Sequence, residues 1–185
     1  MLNDFIKPTA VLLLVTILAA TIIGVTFTVT EEPIAQQRAN AEIAAIIALL
    51  PTTYETEYFY INEGDSSLTG LTISLDRNNE VIGYVFSASP AGYSGRINMM
   101  VAIDTQGVIQ GVQIIRHTET PGLGANITQE WFTGAFSGRS GRLVSAHNPT
   151  GADEIPIIAS ATVSVNAVLR GVNDAVAYFE RGMTR

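Results

Sequence analysis

Residues 8–30 form a run of 23 uncharged and mostly apolar positions, preceded by Lys7 and followed by two glutamates. As an α-helix this run is about 35 Å long, enough to cross a bilayer core of about 30 Å. A cleaved signal peptide is the competing interpretation, but its apolar core is only about 7–15 residues long and ends at a small-x-small site. The run ends Phe-Thr-Val-Thr and has no such site, so it predicts an uncleaved membrane anchor.

The segment after the anchor, residues 31–50, is rich in alanine. Ile43, Ile46, Ile47 and Leu50 follow the spacing of an amphipathic helix, and Pro51 ends the pattern. This spacing predicts a stalk helix that leads from the membrane to a domain. It also fits an ordinary first helix that packs on its own domain.

From residue 54 the pattern becomes that of β-strands. Residues 54–61 are rich in aromatic side chains and alternate. Residues 71–75 and 81–86 flank a polar connection, Asp-Arg-Asn-Asn-Glu, and residues 97–103 and 108–115 flank Asp-Thr-Gln-Gly. Both connections are rich in residues that turns favour, so each pair predicts an antiparallel hairpin.

The last element has the clearest helical pattern, and it predicts a helix that starts near residues 162–164. Its apolar positions keep helical spacing over four turns: Val165, Val168, Leu169, Val172, Val176 and Phe179. Before it, residues 126–136 predict a short helix and residues 137–150 a loop. The predicted class is α+β, with an antiparallel sheet and flanking helices. The predicted parts are residues 1–30 (arm and anchor), 31–50 (stalk helix) and 51–185 (folded domain).

Composition narrows the chemistry. The chain has 185 residues, 47% of them hydrophobic and 15% charged, which excludes a disordered chain. Its net charge of −7 argues against a nucleic-acid partner. It has no cysteine and two histidines, which excludes disulfides and thiolate metal sites and predicts no metal centre.

Two segments could bind a ligand through backbone groups. The first contains Pro121, Gly122 and Gly124, which suit a loop whose N–H groups approach ring carbonyls or phosphate, although Pro-Gly is also a simple turn signal. The second, residues 159–164, precedes the final helix, whose N-terminus favours phosphate. The competing interpretation is that Ser160, Thr162 or Ser164 only caps that helix.

His117 and Glu119 are two residues apart at the end of the second hairpin. On a strand they would share a face and could form a weak acid–base or metal pair. The alternative is that both are solvated polar residues at the end of a strand.

Four motifs together resemble the FMN-binding domain family, and most specifically His-x-Glu-Thr-Pro-Gly-Leu-Gly at residues 117–124. The others are Gly-Tyr-Ser-Gly-Arg-Ile at residues 92–97, Phe-Ser-Gly-Arg at residues 136–139 and Ala-Thr-Val-Ser at residues 161–164. With the short length and the single anchor, the chain is similar to the G subunits of Rnf electron-transport complexes. It is also similar to the C subunits of sodium-pumping NADH:quinone reductases.

The resemblance implies that FMN is joined by a phosphoester bond to a threonine hydroxyl in a Ser/Thr-Gly-Ala-Thr-x-Ser/Thr motif. The matching threonine is Thr162. The family motif usually opens with an aspartate where this chain has Pro156, and Ala159 and Ser160 replace its Ser/Thr and Gly. A flavin transferase would read this motif during maturation. The acceptor hydroxyl is retained.

The resemblance also implies a role for each site residue, with Thr162 as an attachment point and no catalytic residue. The phosphate would be held by Ser164 and the N–H groups around Val163 and Ser164, and Ala161 is a further cofactor-binding residue. The flavin would be lined by Thr120, Pro121, Gly122, Leu123 and Gly124, with Glu119 and Tyr93 as further contacts.

The function implied is that of an electron-relay subunit in an ion-translocating ferredoxin:NAD oxidoreductase complex, with no turnover alone. The alternatives are a subunit of a sodium-pumping NADH:quinone reductase and an anchored FMN-dependent regulatory module. The expected partners are other membrane and redox subunits and the lipid bilayer. Lys7, the only lysine, precedes the anchor, so the positive-inside rule predicts a single-pass inner-membrane protein with a cytoplasmic N-terminus and an extracytoplasmic domain.

Overall fold

The computed structural model describes residues 2–62, 64 and 66–183. The chain divides into two compact units, Met1–Ala41 and Glu42–Arg185. The predicted anchor and stalk form one continuous helix, α1 (Leu2–Leu49), which includes Pro8 and Pro33. Within the described residues this is the one helix apolar and long enough to cross a membrane, with a mean hydropathy of 2.6 in its most apolar window.

The threonines of the apolar run hydrogen-bond to their own helix. Their hydroxyls donate to carbonyl oxygens three or four residues earlier, at 2.8–3.3 Å, in Thr16, Thr21, Thr26, Thr28 and Thr30. In a bilayer core an unpaired hydroxyl would be costly. These internal bonds make a threonine-rich segment compatible with lipid.

The second unit is built on a five-stranded antiparallel sheet in the order β1 (Glu55–Tyr60), β2 (Leu68–Leu75), β3 (Val81–Ala88), β4 (Asn98–Asp104) and β5 (Ile109–Arg116). Both predicted hairpins are confirmed as β2–β3 and β4–β5. Their connections contain Asn79 with φ 65° and Gly107 with φ 86°. Asparagine and glycine tolerate this left-handed conformation, which explains why the turns form there.

The end of α1 packs on one face of the sheet. Ala45, Ile46 and Leu50 form a buried cluster with side chains of β3 and β4, and the glycines of β3 and β5 allow a close approach. The predicted apolar stripe is therefore only partly buried, because Ile43 and Ile47 remain exposed. From Glu42 onward, the segment corresponds to the first helix of a domain that packs on its own sheet.

The other face carries the main core and the last helix, α3 (Thr162–Gly182), which begins within the predicted range. Its aromatic residues meet the sheet edge-to-face, Phe179 against Tyr84 and Tyr178 against Phe86. Gly171 lets the helix approach closely, because a Cβ there would lie 2.8 Å from Met99 Sδ. The position of α3 is thus fixed by packing along most of its length.

The remaining segments lie between β5 and α3. The predicted helix over residues 126–136 is three short pieces: a 3₁₀ turn (Gly124–Thr128), α2 (Glu130–Thr133) and a second 3₁₀ turn (Gly134–Phe136). The predicted loop over residues 137–150 contains a short strand, β6 (Val144–Ala146), which pairs in parallel with β7 (Glu154–Pro156). The α+β class is confirmed.

Candidate functional site

A cavity of about 400 Å³ lies where the N-terminus of α3 meets the segment that follows β5. Nine of the eleven residues expected to bind the cofactor line it: Tyr93, Glu119, Thr120, Leu123, Gly124, Ala161, Thr162, Val163 and Ser164. Its volume is within the range of about 300–1,000 Å³ typical of small-molecule sites. Three motifs that are separate in the sequence therefore meet at one site.

The first turn of α3 has free backbone donors. The helix begins at Thr162, and its N-cap residue is Ala161, which makes no side-chain capping bond. The first helical bond runs from the Val165 N–H to the Ala161 carbonyl at 3.0 Å. Among the described residues the N–H groups of residues 162–164 have no partner, so this end of the helix can bind an anion.

The hydroxyls before and within this turn do not cap it, so the capping interpretation is wrong. Ser160 lies outside the helix with φ 63°. Thr162 is exposed, and within the described part of the chain its hydroxyl has no hydrogen-bond partner. Ser164 is 1% exposed, and its hydroxyl donates to Glu119 Oε2 at 2.5 Å. Among the described residues that line the cavity, the Thr162 hydroxyl is thus accessible and uncommitted at the start of the helix, and the exposed Ser160 hydroxyl, which lies outside the helix, is uncommitted as well.

Ser160 lines the cavity, although the sequence analysis did not include it among the site residues. Its φ of 63° is a conformation that glycine adopts freely and other residues adopt at a cost. The family motif has glycine at this position. The glycine of the family motif was therefore the available signal that the backbone has a left-handed conformation at this position.

Glu119 is a buried carboxylate, 4% exposed. Its Oε1 accepts the backbone N–H groups of Tyr93 at 2.9 Å and Ser94 at 3.0 Å, and its Oε2 accepts the Ser164 hydroxyl. The interpretation of residues 117 and 119 as two solvated polar residues is wrong for Glu119. The His117 side chain bonds to the backbone of Glu119, because its Nδ1 accepts the Glu119 N–H at 3.1 Å.

Two glycines make room for this carboxylate. A Cβ on Gly92 would lie 2.5 Å from Glu119 Oε1, and one on Gly124 would lie 2.6 Å from Glu119 Oε2 and from Ser164 Oγ. Real Cβ atoms do not approach so closely. The glycines of the two motifs are thus required by the contacts of Glu119.

The two remaining expected residues, Pro121 and Gly122, do not line the cavity. They form the turn that precedes it, in which the N–H groups of Leu123 and Ala125 donate to the Thr120 carbonyl at 3.2 and 3.1 Å. Gly122 has φ 76°, which favours glycine. These residues set the path of the loop that brings Leu123 and Gly124 to the site.

Part of the cavity mouth is apolar. Tyr93 is 75% exposed, Val163 51% and Leu123 45%. A planar ring could lie against these side chains while the helix terminus binds an anionic group. The site therefore suits a ligand with a phosphate at one end and an aromatic system at the other.

Comparison with known proteins agrees with this geometry. Residues 92–177 match the family model of the FMN-binding domain. The chain is 35% identical over 108 residues to the G subunit of a Na(+)-translocating ferredoxin:NAD(+) oxidoreductase complex of Acetobacterium woodii, a match that covers 56% of this chain. It covers 52% of that relative, so the chain spans about half its length.

Two further comparisons extend over more of the chain. It is 27% identical, over 95% of both chains, to the G subunit of an ion-translocating oxidoreductase complex of Methanosarcina acetivorans. The crystal structure of the C subunit of a Na(+)-translocating NADH-quinone reductase from Parabacteroides distasonis has a TM-score of 0.56 and 18% identity. The match covers 72% of this chain and 79% of that one, and it shows that the two share a fold.

Proposed function

We propose that the chain belongs to the FMN-binding domain family, a proposal supported by the match of residues 92–177 to the model of that family. FMN is carried covalently on the hydroxyl of Thr162. The chain relays electrons as a membrane-anchored subunit of an ion-translocating ferredoxin:NAD oxidoreductase complex. This complex is the one named for the Acetobacterium relative, and the relatives' names support a redox role.

The observation that carries the proposal is the position of Thr162. Its exposed hydroxyl lies at the start of α3, in the cavity and beside the backbone N–H groups of residues 162–164, which have no partner in the described part of the chain. A phosphate esterified to this hydroxyl would meet those donors and the positive end of the helix dipole. The residues present therefore fit a phosphate bound at this end of the cavity.

The rest of the cavity fits the ring of a flavin. Leu123, Val163 and Tyr93 supply apolar and aromatic surface at an open mouth. FMN supplies a redox-active ring that exchanges electrons. An open mouth would let another redox subunit approach the ring, as a relay requires, and the ester would keep the cofactor from leaving.

Attachment is a phosphoryl-group transfer with no redox change. The Thr162 oxygen attacks the flavin-bearing phosphorus of a flavin dinucleotide donor, forming the new P–O ester bond. The pyrophosphate P–O bond breaks, a nucleoside monophosphate leaves, and the hydroxyl proton passes to solvent. A flavin transferase would catalyse this step, as the family resemblance implies.

Residues 8–30 of α1 anchor the chain in the bilayer, with the N-terminus in the cytoplasm and the FMN domain on the opposite side. This orientation is supported by Lys7 before the run. Protease added to right-side-out vesicles should digest the domain. Protection there, with digestion in inverted vesicles, would reverse the orientation.

The test of attachment is in-gel flavin fluorescence after denaturation. Thr162→Ala should abolish it, whereas Thr162→Ser keeps a hydroxyl and should retain it. Thr150→Ala is the matched control, because Thr150 is an exposed threonine outside the cavity. Since the Thr162 side chain makes no capping bond, Thr162→Ala should fold normally. Fluorescence that survives Thr162→Ala would refute the assignment.

A further inference from the structure

We infer that Glu119 is a positioning residue, which acts through Ser164 to hold the first turn of α3 where Thr162 faces the cavity. The inference rests on the proposed attachment at Thr162. It gives Glu119 and Ser164 a different role from the direct flavin and phosphate contacts that the family resemblance implies. The two side chains act on the chain itself, and the backbone N–H groups are left to hold the phosphate.

The carboxylate of Glu119 joins three segments that are distant in the sequence. Oε1 accepts two adjacent backbone N–H groups, from Tyr93 and Ser94, and Oε2 accepts the Ser164 hydroxyl of α3. Glu119 itself belongs to the segment that continues into the cavity-lining turn at Thr120. One carboxylate thus links the three walls of the cavity.

The Ser164 hydroxyl has one hydrogen, and the contact with Glu119 uses it. A phosphate oxygen accepts hydrogen bonds, and the Ser164 hydroxyl has no second hydrogen to donate to it. Ser164 is also 1% exposed, below the surface of the cavity. Its contribution to the site is therefore the bond to Glu119.

The bond is placed to control Thr162 in particular. Ser164 follows Thr162 by two residues in the same helical turn, and this turn has no capping side chain. The following residues, Val165 and Val168, are fully buried in the core and hold the body of the helix by packing. Loss of the Ser164–Glu119 bond should therefore loosen the first turn and leave the rest of α3 in place.

The electrostatics are consistent with this role. A carboxylate at a helix N-terminus interacts favourably with the helix dipole. With three charge-assisted hydrogen bonds, Glu119 is satisfied inside the protein, and it needs no ligand to compensate its charge. It is a structural acceptor in the chain without flavin as well as in the chain that carries it.

The experiment is a double-mutant cycle on the rate of covalent flavin incorporation into the full chain, at fixed flavin transferase and donor. Ser164→Ala and Glu119→Ala should each slow incorporation about tenfold, because a hydrogen bond to a charged group is worth at least that factor. The double variant should be no slower than Glu119→Ala, since Glu119→Ala already removes the bond that Ser164→Ala removes. Glu119→Gln keeps an acceptor for the two amides and can donate to Ser164, so it should recover at least threefold over Glu119→Ala.

Ser137→Ala is the matched control, because its exposed hydroxyl donates to the Gln110 carbonyl at 3.0 Å, away from the cavity. It should incorporate flavin at the wild-type rate. Ser164→Ala at the wild-type rate would overturn the inference. So would multiplicative losses in the double variant, which would mean that the two residues act separately.

A second readout needs no flavin. In a Thr162→Ala background, adding Ser164→Ala should speed hydrogen exchange of the first hydrogen-bonded amides of α3, beginning with that of Val165, at least tenfold. The Tyr93 and Ser94 amides should stay protected, because Glu119 still accepts them. Unchanged exchange in α3 would overturn the positioning role. If the wild-type chain carried no covalent flavin but exchange changed as expected, the proposed attachment at Thr162 would be wrong and the positioning role of Glu119 and Ser164 would be retained.

Discussion

Gly124→Ala adds one methyl group at a crowded point of the site. Its Cβ would lie 2.6 Å from both Glu119 Oε2 and Ser164 Oγ, and 3.0 Å from Glu119 Cβ. Gly124 does not have a positive φ, so the backbone itself accepts alanine. The perturbation is therefore steric, and it falls on the two atoms of the Glu119–Ser164 hydrogen bond.

The magnitude follows from the two ways in which the chain can respond. If the side chains stay in place, overpacking costs about 1–3 kcal/mol. If Glu119 or Ser164 moves, a buried hydrogen bond to a charged group weakens, at about 1.5–3 kcal/mol. Either response destabilises the folded state by about 2 kcal/mol. At about 2–4 °C per kcal/mol for a chain of this size, the melting temperature should fall by about 4–8 °C.

The assay is thermal unfolding of the full chain in detergent, followed by circular dichroism. Gly134→Ala is the matched control, because no atom lies within 4 Å of its Cβ position and its backbone is already helical, with φ −67°. It should unfold at or slightly above the wild-type temperature. A Gly124→Ala melting temperature within 1 °C (about 0.3 kcal/mol) of the wild type would refute the packing argument.

Two further predictions concern the backbone near the site. Ser160→Gly should raise the melting temperature by about 1–4 °C. Relief of the left-handed conformation of Ser160 gains about 1–2 kcal/mol, and the greater freedom of glycine in the unfolded chain offsets part of this gain. A lower melting temperature would contradict this prediction. Glu154 accepts the N–H groups of Thr150 and Gly151, and these bonds lower the pKa of its carboxyl from 4.5. The wild type should therefore be more stable than Glu154→Gln at neutral pH, and the difference should vanish as the pH falls through the lowered pKa. Unfolding temperatures of the wild type and Glu154→Gln, measured from neutral pH to below that pKa, test this.

The sequence predicts elements well where a local signal decides the structure. The hairpin turns have residues that tolerate a positive φ, Asn79 and Gly107. Helix α3 has an apolar stripe whose members are buried in the structure, from Val165 to Phe179. Pattern and structure agree because these signals act over a few residues and match the final environment.

The sequence predicts less where contacts between distant segments decide the structure. β6 and β7 have three residues each and no alternating pattern, and they form only because the chain brings Val144 and Glu154 together. Ile47 follows the same spacing as Ile46 but remains exposed, because the sheet covers only one side of α1. A periodic pattern alone does not reveal how much of the helix surface the sheet covers.

The site divides in the same way. The motifs predict which residues meet, and nine of eleven line one cavity. They do not predict that Glu119 and Ser164 bond to each other, because 45 residues separate them in the sequence. A buried hydrogen bond of this kind depends on the final path of three loops.

The central claim is that flavin is attached to Thr162, and peptide mass spectrometry of the native protein tests it most directly. Trypsin cuts after Arg142 and Arg170, and no lysine or arginine lies between them. The resulting 28-residue peptide, 143–170, contains Thr162. The account predicts that this peptide is heavier by one FMN less one water, and that fragmentation places the added mass on Thr162. An unmodified peptide, or an added mass on Thr150, would contradict it.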